Sequence, residues 1–280
     1  MERKKVTVPD LHQMKRDGKK ITMLSVYDYP TALIADRMGL DTILIGDSLA
    51  QTVLGQKSTV TVTMDEMLHH AKAVTRATPH TFVVGDMPFM SANLGERDTI
   101  INAGRYLREG GTDAVKLEGI GDIVSLVRAI HNAGIPVMAH LGLTPQNMAI
   151  LGGPKVQGND LKTAQKIIDD AQRLQDVGAF AIILECVPDQ ISKIVAERLE
   201  IPVIGYGAGP YCDGHGMVSA DLLGMFDAPI PKFSRNYVKL HEIIGKAYAA
   251  YIKDVQSGSY PADKETYHID EKVLKEILEN

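Results

Sequence analysis

Five short apolar runs in this 280-residue chain stop at a carboxylate or a histidine: TILIGD at Asp47, TFVVGD at Asp86, AVKLE at Glu118, PVMAH at His140 and AFAIILE at Glu185. Each run reads as a buried strand, and the segments between them carry helical spacing of apolar residues. That order is expected of parallel strands joined by covering helices. When such strands close into a barrel, their carboxyl ends surround one mouth, and residues distant in sequence meet there. The predicted fold is an α/β (βα)8 barrel, a TIM barrel, forming a single domain over residues 1–280. Crowded carboxylates repel one another, so Asp47, Asp86 and Glu118 around one mouth require a cation among them or the uptake of protons.

Composition agrees with such a barrel and excludes several other classes. Hydrophobic residues make up 45% of the chain, enough for a large core, and a net charge of -5 with no basic block argues against a nucleic-acid partner. The two cysteines, Cys186 and Cys212, lie in separate segments without metal-ligand spacing, which fits a reducing cytosol and suggests neither a disulfide framework nor a zinc site. The charged amino terminus is not followed by the apolar stretch of a signal peptide or membrane span. A cytoplasmic location without membrane contact is the expectation.

Along the chain, Pro9 and Asp10 open a short helix closed by Gly18, and ITMLSV begins the strand series. Thr63 and Glu66 form a capping-box pattern before a helix whose Met67, Ala71 and Val74 share a face. Seven strands follow from the pattern. The eighth is expected between Gly216 and Phe233, where periodicity does not fix it. The carboxyl-terminal part reads as two more helices, with a helical extension over roughly 255–280. The long loops follow strands, whereas the helix-to-strand turns (GLDT, GGTD, AGI, DVGA) are short, as in a barrel whose site is built from strand-to-helix loops.

Alternation along a strand sends Lys116 and Glu118 one way and Val115 and Leu117 the other. It also groups Ile43, Ile45 and Asp47 on one face, and Ala181, Ile183 and Glu185 on another. A buried lysine–glutamate pair is a costly way to fill a core, so a functional role outweighs a structural one there. Taken singly, Asp47 or Asp86 reads as a helix cap or loop acid; the convergence of five such groups favours a site. Two or three carboxylates without cysteine match Mg²⁺, which takes oxygen ligands and leaves positions for water or substrate. A 2-oxo acid is suited to such a metal, which acts as a Lewis acid on the carbonyl and acidifies the adjacent C–H. Glu185, between Leu184 and Cys186, is then the candidate general base. His140 is either a substrate-orienting group or a satisfied histidine at a strand end. His69 and His70 read as surface residues. The segment GYGAGPYCDG is a glycine-rich turn after a strand without the GxGxxG order.

These motifs, in this order, resemble the ketopantoate hydroxymethyltransferases (3-methyl-2-oxobutanoate hydroxymethyltransferases) over nearly the whole chain. The resemblance is carried by YDYPTA from Tyr27, GDSL from Gly46, DMPF from Asp86, DAVKLEG from Asp113, HLGLTPQ from His140, KVQG from Lys155, LECVP from Leu184, IGYGAGPYCDG from Ile204 and PKF from Pro231. It implies a (βα)8 barrel that binds Mg²⁺ and transfers a hydroxymethyl group from 5,10-methylenetetrahydrofolate to 3-methyl-2-oxobutanoate, giving ketopantoate for pantothenate and coenzyme A synthesis. By the same resemblance Asp47 and Asp86 ligate the metal, and Glu118 supports it directly or through water. Ser48 and Lys116, with Asp47, Asp86 and His140 around them, hold the oxo acid, Glu185 accepts the proton, and the assembly is a homodecamer. The chain departs from the family pattern at Ala50, Met90 and Ala139, where glycine is usual, at Tyr206, where a small aliphatic residue is usual, and at Pro154 and His215. Bulk added beside a packed pocket reshapes it.

Two other readings remain open on the sequence. One is a carbon–carbon lyase or phosphoenolpyruvate mutase-like enzyme acting on another 2-oxo acid, and the other is a non-catalytic barrel that senses an oxo acid.

Overall fold

The computed structural model describes residues 3–119 and 122–280. Eight parallel strands close into a barrel in sequence order: β1 (Ile21–Ser25), β2 (Thr42–Ile45), β3 (Phe82–Asp86), β4 (Ala114–Glu118), β5 (Val137–Gly142), β6 (Ala181–Glu185), β7 (Val203–Tyr206) and β8 (Gly214–Val218). β8 begins before the stretch from Gly216 to Phe233 in which the sequence places it. Its GHGMV carries glycine at two positions that face the interior, so the apolar alternation that marks the other strands is missing there.

Alternation divides the apolar residues into two shells. Val115, Leu117, Ile43, Ile45, Ile182 and Leu184 face outward and pack against the covering helices. Ile21, Met23, Leu44, Val84, Met138 and Ile183 fill the barrel interior. The amino-terminal helix Val8–Arg16, with its Thr7–Asp10 capping box, contributes Leu11 and Met14 to the interior cluster. His12 Nε2 meets the Phe180 carbonyl at 2.8 Å beside them.

The same inward rows change from apolar to charged at their carboxyl ends. On β3 Val84 is followed inward by Asp86, on β4 Ala114 by Lys116 and Glu118, on β5 Met138 by His140, and on β6 Ile183 by Glu185. The barrel unit comprises Met1–Leu222 and Ile230–Arg235. A second unit, Leu223–Pro229 with Asn236–Asn280, contains the helices Leu240–Ser257 and Glu271–Glu279, neither of which has a buried residue.

Candidate active site at the barrel mouth

Lys116 is the centre of the site. Its ammonium donates to both oxygens of Asp86 at 2.9 Å and to Glu118 Oε2 at 2.8 Å, and the residue is 3% exposed. The register pairs Asp86 with Lys116 and Glu118 with His140, so neighbouring strands deliver these partners at adjoining levels. Burial alone would strip the charge from this amine. The carboxylates of Asp86, Glu118 and Asp47 overcome it and hold the Lys116 pKa well above that of a free lysine.

Glu118 is spoken for on both oxygens. Oε2 accepts from Lys116 and meets His140 Nδ1 at 2.8 Å, while Oε1 accepts from the Gln146 backbone N–H at 2.9 Å. Burial opposes its charge, but Lys116 and His140 keep the carboxyl far below the usual range. His140 is 2% exposed; burial and Lys116 disfavour its charged form, yet Glu118 and Glu185 raise its pKa to about 9, so the ring is an imidazolium at neutral pH. Its Nε2 stands 3.3 Å from Glu185 Oε2, an ion-pair distance at which no hydrogen bond is aligned. Glu185 is the open member of the group, with its side chain 18% exposed against 0% for Glu118.

Asp47 reaches the site by a different route from the one strand alternation suggests. Ile43 and Ile45 face the helices, and β2 ends at Ile45; the turn Gly46–Asp47–Ser48 then brings Asp47 to Asp86, whose Oδ2 accepts the Asp47 backbone N–H at 3.0 Å. Gln146 Nε2 donates to Asp47 Oδ2 and to the Met87 carbonyl, each at 3.0 Å. Burial, and then the Asp86 charge, push the Asp47 carboxyl well above its ordinary value, with Lys116 pulling the other way. Asp86 is likewise raised by burial against the opposing pull of Lys116. Ser48 lies beside them and shares a 2.8 Å hydrogen bond with the Tyr27 hydroxyl.

The sequence-selected residues Asp47, Asp86, Lys116, Glu118, His140 and Glu185 are thus linked through a few hydrogen bonds and ion pairs at one mouth, and Ser48 adjoins Asp47 in the turn with its hydroxyl on Tyr27. Gln146 and Tyr106 were not selected. Tyr106 is fully buried and donates its hydroxyl to the Asp86 carbonyl. Gln146 sits in a 3-10 turn after β5, where a lone amide residue has no periodic signature; its place in HLGLTPQ is the only signal that could have found it. His69 is exposed as expected, whereas His70 is half-buried and its Nδ1 contacts the Tyr27 carbonyl at 2.6 Å. The glycine-rich turn after β7 has a packing reason. Gly207 and Gly209 both have positive φ, and a Cβ on either would collide with Phe233 or Asp189.

Among the described residues no three His, Cys, Asp or Glu side chains form a ready-made metal cage. The charge balance nevertheless fits a divalent cation. Four carboxylates (Asp47, Asp86, Glu118 and Glu185) face two cationic groups, Lys116 and His140, and Asp47, the carboxylate pushed well above its ordinary pKa, is the acid with acceptor capacity to spare. A proton on Asp47 would relieve part of the excess, and a divalent cation bound among these oxygens would relieve all of it.

Fold and site together define a (βα)8-barrel enzyme with a buried carboxylate–lysine–histidine cluster at the carboxyl ends of its strands. The family model for ketopantoate hydroxymethyltransferase matches residues 5–263. The chain is 50% identical, over 98% of its length and 99% of the relative's, to the 3-methyl-2-oxobutanoate hydroxymethyltransferase of Carboxydothermus hydrogenoformans. It is 51% identical, over 95% and 99%, to the enzyme of that name from Moorella thermoacetica. The chain belongs to the ketopantoate hydroxymethyltransferase family, whose members are transferases. Solved structures that share the barrel include a phosphonopyruvate hydrolase in complex with oxalate and Mg²⁺ (TM-score 0.60, 14% identity, 93% of each chain). A 2,3-dimethylmalate lyase also shares it (TM-score 0.59, 17% identity, 94% of this chain and 92% of that one).

Proposed function

We propose that the chain transfers a hydroxymethyl group from 5,10-methylenetetrahydrofolate to 3-methyl-2-oxobutanoate, giving ketopantoate, with Mg²⁺ as its metal. The observation that carries this reading is the separation of roles among the carboxylates. Asp86 and Glu118 are locked to Lys116, whereas Glu185 is partly exposed and meets the cluster through His140 at 3.3 Å. Asp47 and Asp86 would hold the metal, with Glu118 behind them, and the bound cation would supply Lewis-acid polarisation of the acid's carbonyl.

The chain's own groups do the rest. Glu185 takes the proton from C3 of the acid, the carbon next to the carbonyl. The ring of His140, 3.3 Å from Glu185, positions that carboxylate for the transfer. Lys116 sets a fixed positive charge beside the oxygen on which negative charge develops, and Ser48 positions the acid's oxygens. The methylene carbon gives up its bonds to both folate nitrogens, N5 and N10, and forms one bond to the enolate carbon and one to the oxygen of a water molecule; the proton taken from C3 and the proton left over from the water end on the two nitrogens. The place of the reaction is the cytoplasm, and among the described residues no helix is long and apolar enough to cross a membrane. We also propose a homo-oligomer, a decamer by family resemblance. The exposed Tyr248, Tyr251, Ile252 and Val255 on a helix with no buried residue support it, and the mass in solution tests it.

Glu185→Gln is the direct test. With Mg²⁺ and 3-methyl-2-oxobutanoate in heavy water, the wild type is expected to exchange the C3 proton and the variant to bind the acid without exchange. Exchange at the wild-type rate in the variant removes Glu185 as the base. Ketopantoate detected by mass with methylenetetrahydrofolate present, and lost on chelation, distinguishes this reaction from a folate-independent lyase.

A further inference from the structure

Tyr206 stands next to the proposed base and has no settled task. It is the register partner of Glu185, so its side chain enters the barrel beside that carboxylate. The ring packs in the apolar interior cluster and the residue is 6% exposed. It fits there because β8 offers no side chain opposite: a Cβ built on Gly216 would lie 2.0 Å from the Tyr206 Cε2. Gly216 is therefore the recess that admits the phenol.

The hydroxyl is the unresolved part. Its recorded partner is Ser25 Oγ at 3.5 Å, the outer limit of a hydrogen bond. A hydroxyl buried this deeply normally has a well-formed partner. Burial pushes the phenol above its ordinary value, with Tyr27 and Glu185 adding to the effect and the Ser25 hydroxyl and Lys116 opposing it, so the group lies within the field of the site's charges. The mouth has two halves. Asp86, Lys116, Glu118, His140 and Glu185 occupy β3 to β6, and the hydroxyls of Tyr206, Ser25, Tyr27 and Ser48 line the side from β7 through β1 to the turn after β2.

We propose that Tyr206 contacts substrate: its hydroxyl donates a hydrogen bond to an oxygen of the bound 2-oxo acid from the β7 side of the mouth, and Gly216 exists in this chain to let the ring reach that position. The inference rests on the reaction proposed above. A neutral donor on this side complements Lys116 without adding charge, and it discriminates in favour of ligands that present an oxygen there. A site built to hydrogen-bond a ligand rejects analogues that leave its buried donor unpaired.

Tyr206→Phe tests this with little change of shape. The Kd of 3-methyl-2-oxobutanoate is measured by calorimetry with Mg²⁺ and without folate, alongside kcat, KM and Tm. Loss of one neutral hydrogen bond is expected to raise Kd and KM about 5- to 10-fold with kcat nearly unchanged, because the bond is made in both ground and transition states. A rise below threefold makes the hydroxyl structural and overturns the proposal, whatever happens to Tm. Gly216→Ala is expected to produce the same loss by displacing the ring, and the double variant Y206F/G216A to bind the acid no worse than G216A alone. Wild-type protein that fails to bind the acid would instead refute the proposed function itself, and this inference with it.

Discussion

Lys116→Met keeps an apolar stem of similar length and deletes the ammonium, which makes it the sharpest test of how this mouth is held together. The wild-type amine donates three hydrogen bonds of 2.8 to 2.9 Å, and its partners Asp86 and Glu118 are 1% and 4% exposed. Removing one partner of a buried ion pair costs about 3–5 kcal/mol because the remaining charge is left without compensation. Here two carboxylates are stranded at once, but Glu118 keeps His140 and the Gln146 amide, so Asp86 bears most of the loss. The expected destabilisation is therefore about 3–5 kcal/mol at pH 7.5 in urea unfolding with chelator present. Two further results follow from the same cause. Adding Asp86→Asn to K116M should recover about 1–2 kcal/mol, because it removes the stranded charge. The deficit of K116M should also shrink as pH falls, since a proton on Asp86 replaces the missing ammonium. A loss below about 1 kcal/mol, or a double variant weaker than K116M, would show that Lys116 is not the counter-charge of this cluster.

Two other expectations concern stability away from the site. Asp36 is buried, which opposes its charge, but the His80 ring and the amides of Thr81 and His80 hold its carboxyl below the ordinary value. A depressed folded pKa gives stability that is present above the unfolded value, about pH 3.9, and lost as pH falls through the folded one. The gap in unfolding free energy between wild type and Asp36→Asn is thus expected to narrow steadily below about pH 4, and a gap independent of pH would refute the assignment. Met90 adopts φ 65° and is 45% exposed in the loop after β3, so a left-handed conformation is imposed on a residue that gains little from burial. Met90→Gly should raise stability by about 0.5–1 kcal/mol in thermal or urea unfolding, the strain relieved being offset in part by the freedom glycine adds to the unfolded chain; a loss of stability would argue that the Met90 side chain is held by contacts of its own.

Strand alternation was legible in the residues themselves: β4 and β6 send Lys116, Glu118 and Glu185 inward and Val115, Leu117 and Leu184 outward, as a period of two requires. The acid-ended runs likewise announced a mouth where distant carboxylates meet. The sequence could not place β8, because two interior glycines erase the pattern, and it assigned Asp47 to the face of Ile43 and Ile45, because periodicity ends where the turn begins. It also left open what neutralises the acids. Only the closed barrel decided that Lys116 is the resident cation, that Glu118 is saturated by Lys116, His140 and Gln146, and that Glu185 stays partly exposed with His140 as its ion-pair neighbour. A one-dimensional pattern records which way each side chain leaves its strand. The distances between side chains from different strands, which set charge and protonation, come into being only when the sheet closes on itself.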